Sequence, residues 1–221
     1  GVGQGLRDHP LIDLVWETNH NIELEPFSAR NQAVLRYTAE ESNSHNDMIV
    51  YFRGITGPKD DPIGIGCGLG LNLANSKGYV GLNSADYRDH PHINYNLLAD
   101  PEDLRRYRDS IRMLVNLAEH KSLKKLIRKR LAPTESDLES NDTLDEWILK
   151  NVGTGHHIPC TNKMGPKSDP LSVVDQYGKV IGVNGLRIAD ASIMPNCVRA
   201  NINATVLVIG ERIADFIIRD T

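Results

Sequence analysis

The sequence predicts a mixed α/β fold, and three patterns point to it. Residues 11–17 and 47–53 alternate or carry β-branched apolar side chains, so the early part of the chain reads as strands. Asp100-Pro101-Glu102-Asp103 combines an N-cap, a proline in the first turn and two carboxylates that suit a helix dipole, so a helix begins there. A third stretch, residues 204–218, reads as a helix that opens behind the asparagines of Asn201-Ile202-Asn203.

Composition bounds the function. The 221 residues, 40% hydrophobic, suffice for a sizeable core in one large domain or two small ones. With 25 basic against 29 acidic residues and a net charge of -4, nothing drives the chain towards nucleic acid or an anionic membrane, and neither partner is expected. The longest apolar stretch, residues 205–218, falls short of the ~20 residues that span a bilayer and is broken by Glu211, Arg212 and Asp215. No membrane span is expected; a soluble, cytoplasmic protein is. Cys67, Cys160 and Cys197 lack the paired spacing of a zinc site or disulfide scaffold, so reduced thiols and no metal are expected. The chain opens on Gly1-Val2-Gly3, without a methionine or an apolar signal segment, and the expectation is that preceding sequence was removed or sits on another chain.

Along the chain, residues 1–10 are turn-like and polar. Residues 63–82 read as two strands joined by a tight turn at Asn75-Ser76-Lys77-Gly78, a β-hairpin. Gly64, Gly66, Gly68 and Gly70 alternate within it. A phosphate-binding loop needs a helix start directly afterwards, which is missing, so these glycines are read as allowing close approach of another backbone. In the helix after Asp100, Leu104, Tyr107, Ile111, Leu114 and Ala118 form the inward face, while Arg105, Arg106, Arg108 and Arg112 mostly face water. Lys121, Lys124, Lys125, Arg128, Lys129 and Arg130 read as a solvated helix face. Thr143 with Glu146 reads as a capping box for a short helix that ends near Gly153.

The chemistry-bearing residues come last. His157-Ile158-Pro159-Cys160-Thr161-Asn162-Lys163-Met164-Gly165 is followed by Ser172-Val173-Val174-Asp175, then by Gly185-Leu186-Arg187-Ile188-Ala189-Asp190-Ala191-Ser192-Ile193-Met194-Pro195. Asn201-Ile202-Asn203-Ala204 and Glu211-Arg212-Ile213-Ala214-Asp215 complete the order. This series resembles the C-terminal signature of the glucose-methanol-choline (GMC) oxidoreductases. Gly1-Val2-Gly3-Gln4-Gly5-Leu6-Arg7-Asp8-His9-Pro10 is similar to that family's flavin-covering segment, and Gly81-Leu82-Asn83-Ser84-Ala85-Asp86 to its substrate-domain hairpin. The likeness runs through the chain and is densest after Gly155. Two departures stand out. Cys160 occupies a position where many members have glycine, and no Gly-x-Gly-x-x-Gly helix entry occurs, so these residues alone are not expected to hold FAD.

The resemblance implies an α/β protein in three parts. Residues 1–10 would be a covering segment of the FAD domain. Residues 11–150 would form an α+β substrate-binding domain, an antiparallel sheet backed by helices. Residues 151–221 would be the C-terminal elements of a doubly wound FAD-binding domain. It further implies an FAD-dependent enzyme that oxidises a primary or secondary alcohol by hydride transfer to the flavin. His157 would be the general base and Asn203 an amide donor to the same oxygen, the His-Asn pairing of the choline-oxidising branch, with His156 structural. Asn201, Ile202 and Ala204, at the helix start, would face the flavin pyrimidine; Asp190 and Ala191, after an apolar strand at residues 186–189, would lie beside its ribityl and pyrophosphate part. Read without the family, Asn201 or Asn203 is an N-cap and Asp190 caps a loop. The implied partners are an N-terminal FAD-binding chain or fragment of the same enzyme and a small-molecule alcohol, and a homo-oligomer is compatible. The alternatives are a lyase or photodecarboxylase on the same flavin scaffold, or a non-catalytic remnant that serves as a binding module.

Overall fold

The computed structural model describes residues 1–19, 29, 31–56 and 64–219. In chain order the elements are β1 (Gln4–Leu6), β2 (Pro10–Thr18), β3 (Asn31–Tyr37), β4 (Met48–Thr56), β5 (Gly64–Leu71), β6 (Gly78–Gly81), β7 (His92–Asn94), α1 (Pro101–Ala118), α2 (Lys121–Lys124), β8 (Ile127–Ala132), α3 (Asn141–Asn151) and α4 (Asn203–Ile218). They fall into two units. One comprises Pro10–Leu71 and Asp100–Gly153, the other Gly1–His9, Asn72–Ala99 and Thr154–Thr221. Residues 72–99 thus cluster with the two chain ends.

In the unit that begins at Pro10, alternation does what period 2 requires. β2 buries Ile12, Leu14 and Trp16 and exposes Asp13. Five strands of a six-stranded sheet run antiparallel in the order β3-β4-β5-β2-β8, and the two-residue strand β9 (Gly153–Thr154) pairs with β2. Val50 and Leu69, paired in register, bury on the same face as Leu14. α1 packs against β5 with Tyr107, Ile111 and Leu114 buried, each such side chain contributing about 1.5–3 kcal/mol. The Tyr107 hydroxyl donates to the Pro10 carbonyl at 2.5 Å, which satisfies its buried polar end. Gly64 is where backbones approach: a Cβ there would lie 2.0 Å from the Trp16 carbonyl oxygen.

α1 starts as its sequence requires, with Asp100 as N-cap accepting from the Glu102 amide at 2.9 Å. Asp100→Ala is expected to cost about 1 kcal/mol, read as a shift of the urea midpoint at unchanged slope. The arginines behave less uniformly than expected. Arg106 is buried, its guanidinium 2.8 Å from Asp47 and 2.5 Å from Asp103; two buried carboxylates outweigh its preference for water. The basic run is not one helix face either. Arg128, Lys129 and Arg130 lie on β8, and Arg128 and Lys129 pair with Glu17 at 2.7 and 3.4 Å. α3 begins earlier than expected, with Ser140 as N-cap and Thr143 as its reciprocal partner at N3. Among the described residues, no helix is long and apolar enough to cross a membrane.

The other unit is mostly irregular. Its sheet is β1-β6-β7, antiparallel throughout. The expected hairpin of residues 63–82 is therefore absent: β5 and β6 belong to different sheets, because Asn72–Ala99 leaves the first unit directly after Leu71. Residues 155–202 are held by loop-to-loop bonds: Gly3 N to Thr161 O at 2.7 Å, Asn162 N to Ser192 O at 2.9 Å and Met164 N to Ile193 O at 2.8 Å. Val173, Val174 and Ile193 form the core beneath them, flanked by Met164, Val180, Ile188 and Ile209. The expected strand at 186–189 is reduced to an isolated bridge between Lys179 and Arg187. All three cysteines are free and buried, in line with the thiol reading.

Candidate functional site

Two distant stretches meet in this unit. Arg7 N donates to Pro159 O at 3.3 Å and Gly155 N to His9 O at 2.9 Å, so residues 7–9 run alongside residues 155–159. Gly155 is required by this approach, since a Cβ there would lie 2.5 Å from the His9 carbonyl oxygen. One oxygen of the buried Asp8 carboxylate accepts from the amides of both His9, at 2.7 Å, and His157, at 3.1 Å. His156, at φ 61°, makes the turn that leads into His157.

The two imidazoles then face each other. His9 Nδ1 is 3.0 Å from His157 Nδ1, and the rings meet edge-on with centroids 4.9 Å apart. His9 Nε2 lies 2.8 Å from the Val198 carbonyl and 3.0 Å from Cys197 Sγ. On the solvent side, the Asn201 amide Nδ2 lies 3.1 Å from His157 Nε2. Burial, followed by the neighbouring His157, lowers the His9 pKa to about 4, so His9 is neutral near pH 7. Burial also lowers the His157 pKa, with His156 acting in the same direction and Asp8 against both. Burial pushes the Cys197 thiol up to about 12 and Cys160 up to about 11, so neither is a nucleophile near neutrality. Cys160 holds φ 83°, in the left-handed region that glycine adopts freely; this explains how a glycine suits the same position. Taken together, a neutral, half-buried imidazole sits beside an exposed amide donor, a combination able to take a proton from a bound hydroxyl.

Of the residues singled out from sequence, the structure brings His157 and Asn201 together. Asn203 opens α4, and among the described residues no hydrogen bond joins it to His157. The N-cap position belongs to Ile202, whose side chain makes no cap hydrogen bond. Asn203 and Ala204 are exposed there. Asp190 is exposed and caps the 3-10 turn Ala191–Ile193 by accepting from Ser192 N at 2.8 Å. Asp8, His9 and Cys197 carry no role in the sequence reading. Asp8-His9 was visible only as part of a motif, and His9 stands 148 positions from the ring it meets. α4 also presents Leu207, Val208, Ile217 and Ile218 to solvent, the last 84% exposed, an apolar surface of the kind a partner covers.

A choline dehydrogenase described as oxygen-dependent, from Cronobacter sakazakii, is 39% identical over 153 residues, which make up 69% of this chain and 27% of that protein. The mitochondrial choline dehydrogenase of Mus musculus is 39% identical over 149 residues, 67% of this chain and 25% of that protein. The chain thus spans about a quarter of the length of these relatives. A formate oxidase variant of Aspergillus oryzae, described for its effect on FAD modification, superposes with a TM-score of 0.84 at 23% identity, covering 99% of this chain and 47% of that one; this establishes the fold. Residues 74–210, which contain His157, Asn201 and the start of α4, match the family model of the GMC oxidoreductases, and the chain belongs to that family.

Proposed function

We propose that this chain supplies the proton-accepting wall of an FAD-dependent alcohol oxidoreductase, completed by an FAD-binding portion outside these 221 residues. The observation that carries the reading is the His157 imidazole with its Nε2 3.1 Å from the Asn201 amide, in a setting whose burial lowers the ring's pKa. The residues present suit the cofactor. The start of α4 lies beside exposed Asn201 and Asn203, and a helix N-terminus is a partially positive end that favours an electron-rich ring. Ile202, Asn203 and Ala204 would hold the flavin ring there, with Asp190 and Ala191 towards the rest of the cofactor. FAD, when bound, accepts the hydride from the carbinol carbon.

His157 Nε2 takes the hydroxyl proton, and Asn201 and Asn203 donate amide N–H groups to the oxygen on which negative charge develops. The exposed apolar side chains of α4 would be covered by the FAD-binding portion. Choline is the first substrate to test, because two curated relatives are choline dehydrogenases.

The test is anaerobic mixing of choline and simple primary and secondary alcohols with the chain joined to its FAD-binding portion. Bleaching of the flavin absorbance supports the reading. Cleavage of a hydroxynitrile with the flavin left oxidised supports the lyase instead. The rate of flavin reduction is expected to fall on acidification, as the base becomes protonated. Because the His157 pKa is lowered, the midpoint of that acid limb is expected below the ordinary imidazole value of 6.5.

A further inference from the structure

We propose that His9 is a positioning residue that fixes His157 as the Nδ1-protonated tautomer and so leaves the Nε2 lone pair for the substrate. The inference deepens the general-base reading and rests on it. It starts from the Val198 carbonyl, which only accepts. At 2.8 Å from that oxygen, His9 Nε2 must carry a hydrogen. If the Cys197 thiol donated to Nε2 instead, two lone pairs would face each other at 2.8 Å; the thiol hydrogen has another acceptor in the His157 carbonyl, 4.0 Å from Sγ.

His9 is buried and neutral near pH 7, so its second nitrogen, Nδ1, is a lone pair. The only arrangement that makes a hydrogen bond of the 3.0 Å contact then has His157 Nδ1–H donating to His9 Nδ1. His157 Nε2 is left unprotonated. Asn201 gives the same answer from the other side. An amide Nδ2–H at 3.1 Å suits a bare Nε2 and clashes with a protonated one, and it occupies that lone pair until a substrate hydroxyl displaces it.

The groups that face this pair are Asp8, His156, Cys197 and the backbone carbonyls of Val198 and, more weakly, Asn72. Asp8 accepts from both backbone amides rather than from either ring, so it biases charge without choosing the tautomer. The choice rests with Val198 O, the nearer and stronger of the two backbone acceptors on the His9 ring, relayed through His9. A neutral imidazole left to itself places its proton on either nitrogen, and protonation on Nε2 would point a donor at the substrate hydroxyl, where a base is needed.

The experiment uses ring-¹⁵N-histidine in the chain joined to its FAD-binding portion, with two-bond ¹H–¹⁵N correlation spectra near pH 7 assigned through single variants. The expected result is His157 protonated at Nδ1 and His9 at Nε2. A His157 ring protonated at Nε2 overturns the proposal. His9→Phe keeps ring volume and removes the acceptor; it is expected to slow anaerobic flavin reduction about 10- to 100-fold, comparable to losing a partner that orients a metal-bound imidazole. His9→Asn, which restores an acceptor oxygen near the Nδ1 position, is expected to recover most of that loss. Equal losses in both variants with the His157 tautomer unchanged would mean that His9 only supports the fold. If instead His157→Ala reduces flavin at the parent rate, the general-base reading fails, and the tautomer spectra still decide the relation between the two rings.

Discussion

His157→Ala is expected to slow anaerobic reduction of the flavin by an alcohol about 10²- to 10⁴-fold, the contribution of a positioned general base. The loss is expected in the rate at saturating alcohol more than in binding, because proton transfer acts on the transition state. The structure supplies reasons why the variant still folds. Asp8 holds residue 157 through its backbone amide, which alanine keeps. The ring is half-buried and lies outside the Val173, Val174 and Ile193 cluster. Flavin content equal to the parent enzyme therefore separates a chemical defect from a folding one. Added imidazole is expected to restore part of the rate, since a small base can enter the vacated space, and the acid limb of the pH profile is expected to vanish in the variant until imidazole brings it back. A variant that keeps both the parent rate and the parent acid limb excludes His157 as the base.

What sequence made legible here follows from the range of the interactions involved. α1 and α4 were readable because their signals are local: a cap and first-turn carboxylates at Asp100–Asp103, and an apolar run beyond Asn203. The motif around His157 was readable because its order is linear. Misreadings arose where a long-range partner decides. The strand pattern of residues 64–71 and 78–81 is right, but their separation into two sheets depends on where Asn72–Ala99 goes. Arg106 sits among wet arginines in sequence, and Asp47, 59 positions away, joins Asp103 in turning it inward. The site divides in the same way. His157 announces itself, whereas the roles of His9 and Cys197 come from contacts spanning 148 and 188 positions. Asn201 and Asn203 differ by only two residues, about half a helical turn, and helical spacing alone does not say which one turns towards the ring.

Arg106→Met is expected to destabilise the unit that carries it by about 3–5 kcal/mol, the usual cost of removing one member of a buried ion pair. The side chain is 2% exposed and each of its carboxylate partners 0%, so solvent does not compensate when the guanidinium is lost. Asp47 is bound more widely than one bond suggests. It also accepts from the Ala39 amide at 2.9 Å and the Ser42 hydroxyl at 2.6 Å, tying the turn before β4 to α1. Burial alone would raise the Asp47 pKa; the bonds from Ser42, Ala39 and Arg106 outweigh it and hold the carboxyl below its usual range. In the parent protein the unfolded chain thus binds this proton more readily than the folded one, so the stability from Asp47 is present above the ordinary carboxylate range and is lost as pH falls through it. In Arg106→Met the sign reverses. Without the Arg106 bond, burial favours protonation of Asp47 in the folded state, so the variant's deficit is expected to widen as pH rises and to narrow in acid. Urea unfolding followed through Trp16 and Trp147, both in this unit, reads the difference. A deficit under about 1 kcal/mol, the level of an exposed pair, would mean that the Arg106 network carries little of the fold. A triple replacement, Arg106→Met with Asp47→Asn and Asp103→Asn, is expected to cost less than Arg106→Met alone at neutral pH, because the uncompensated charge, more than the lost bonds, is what the single variant leaves behind.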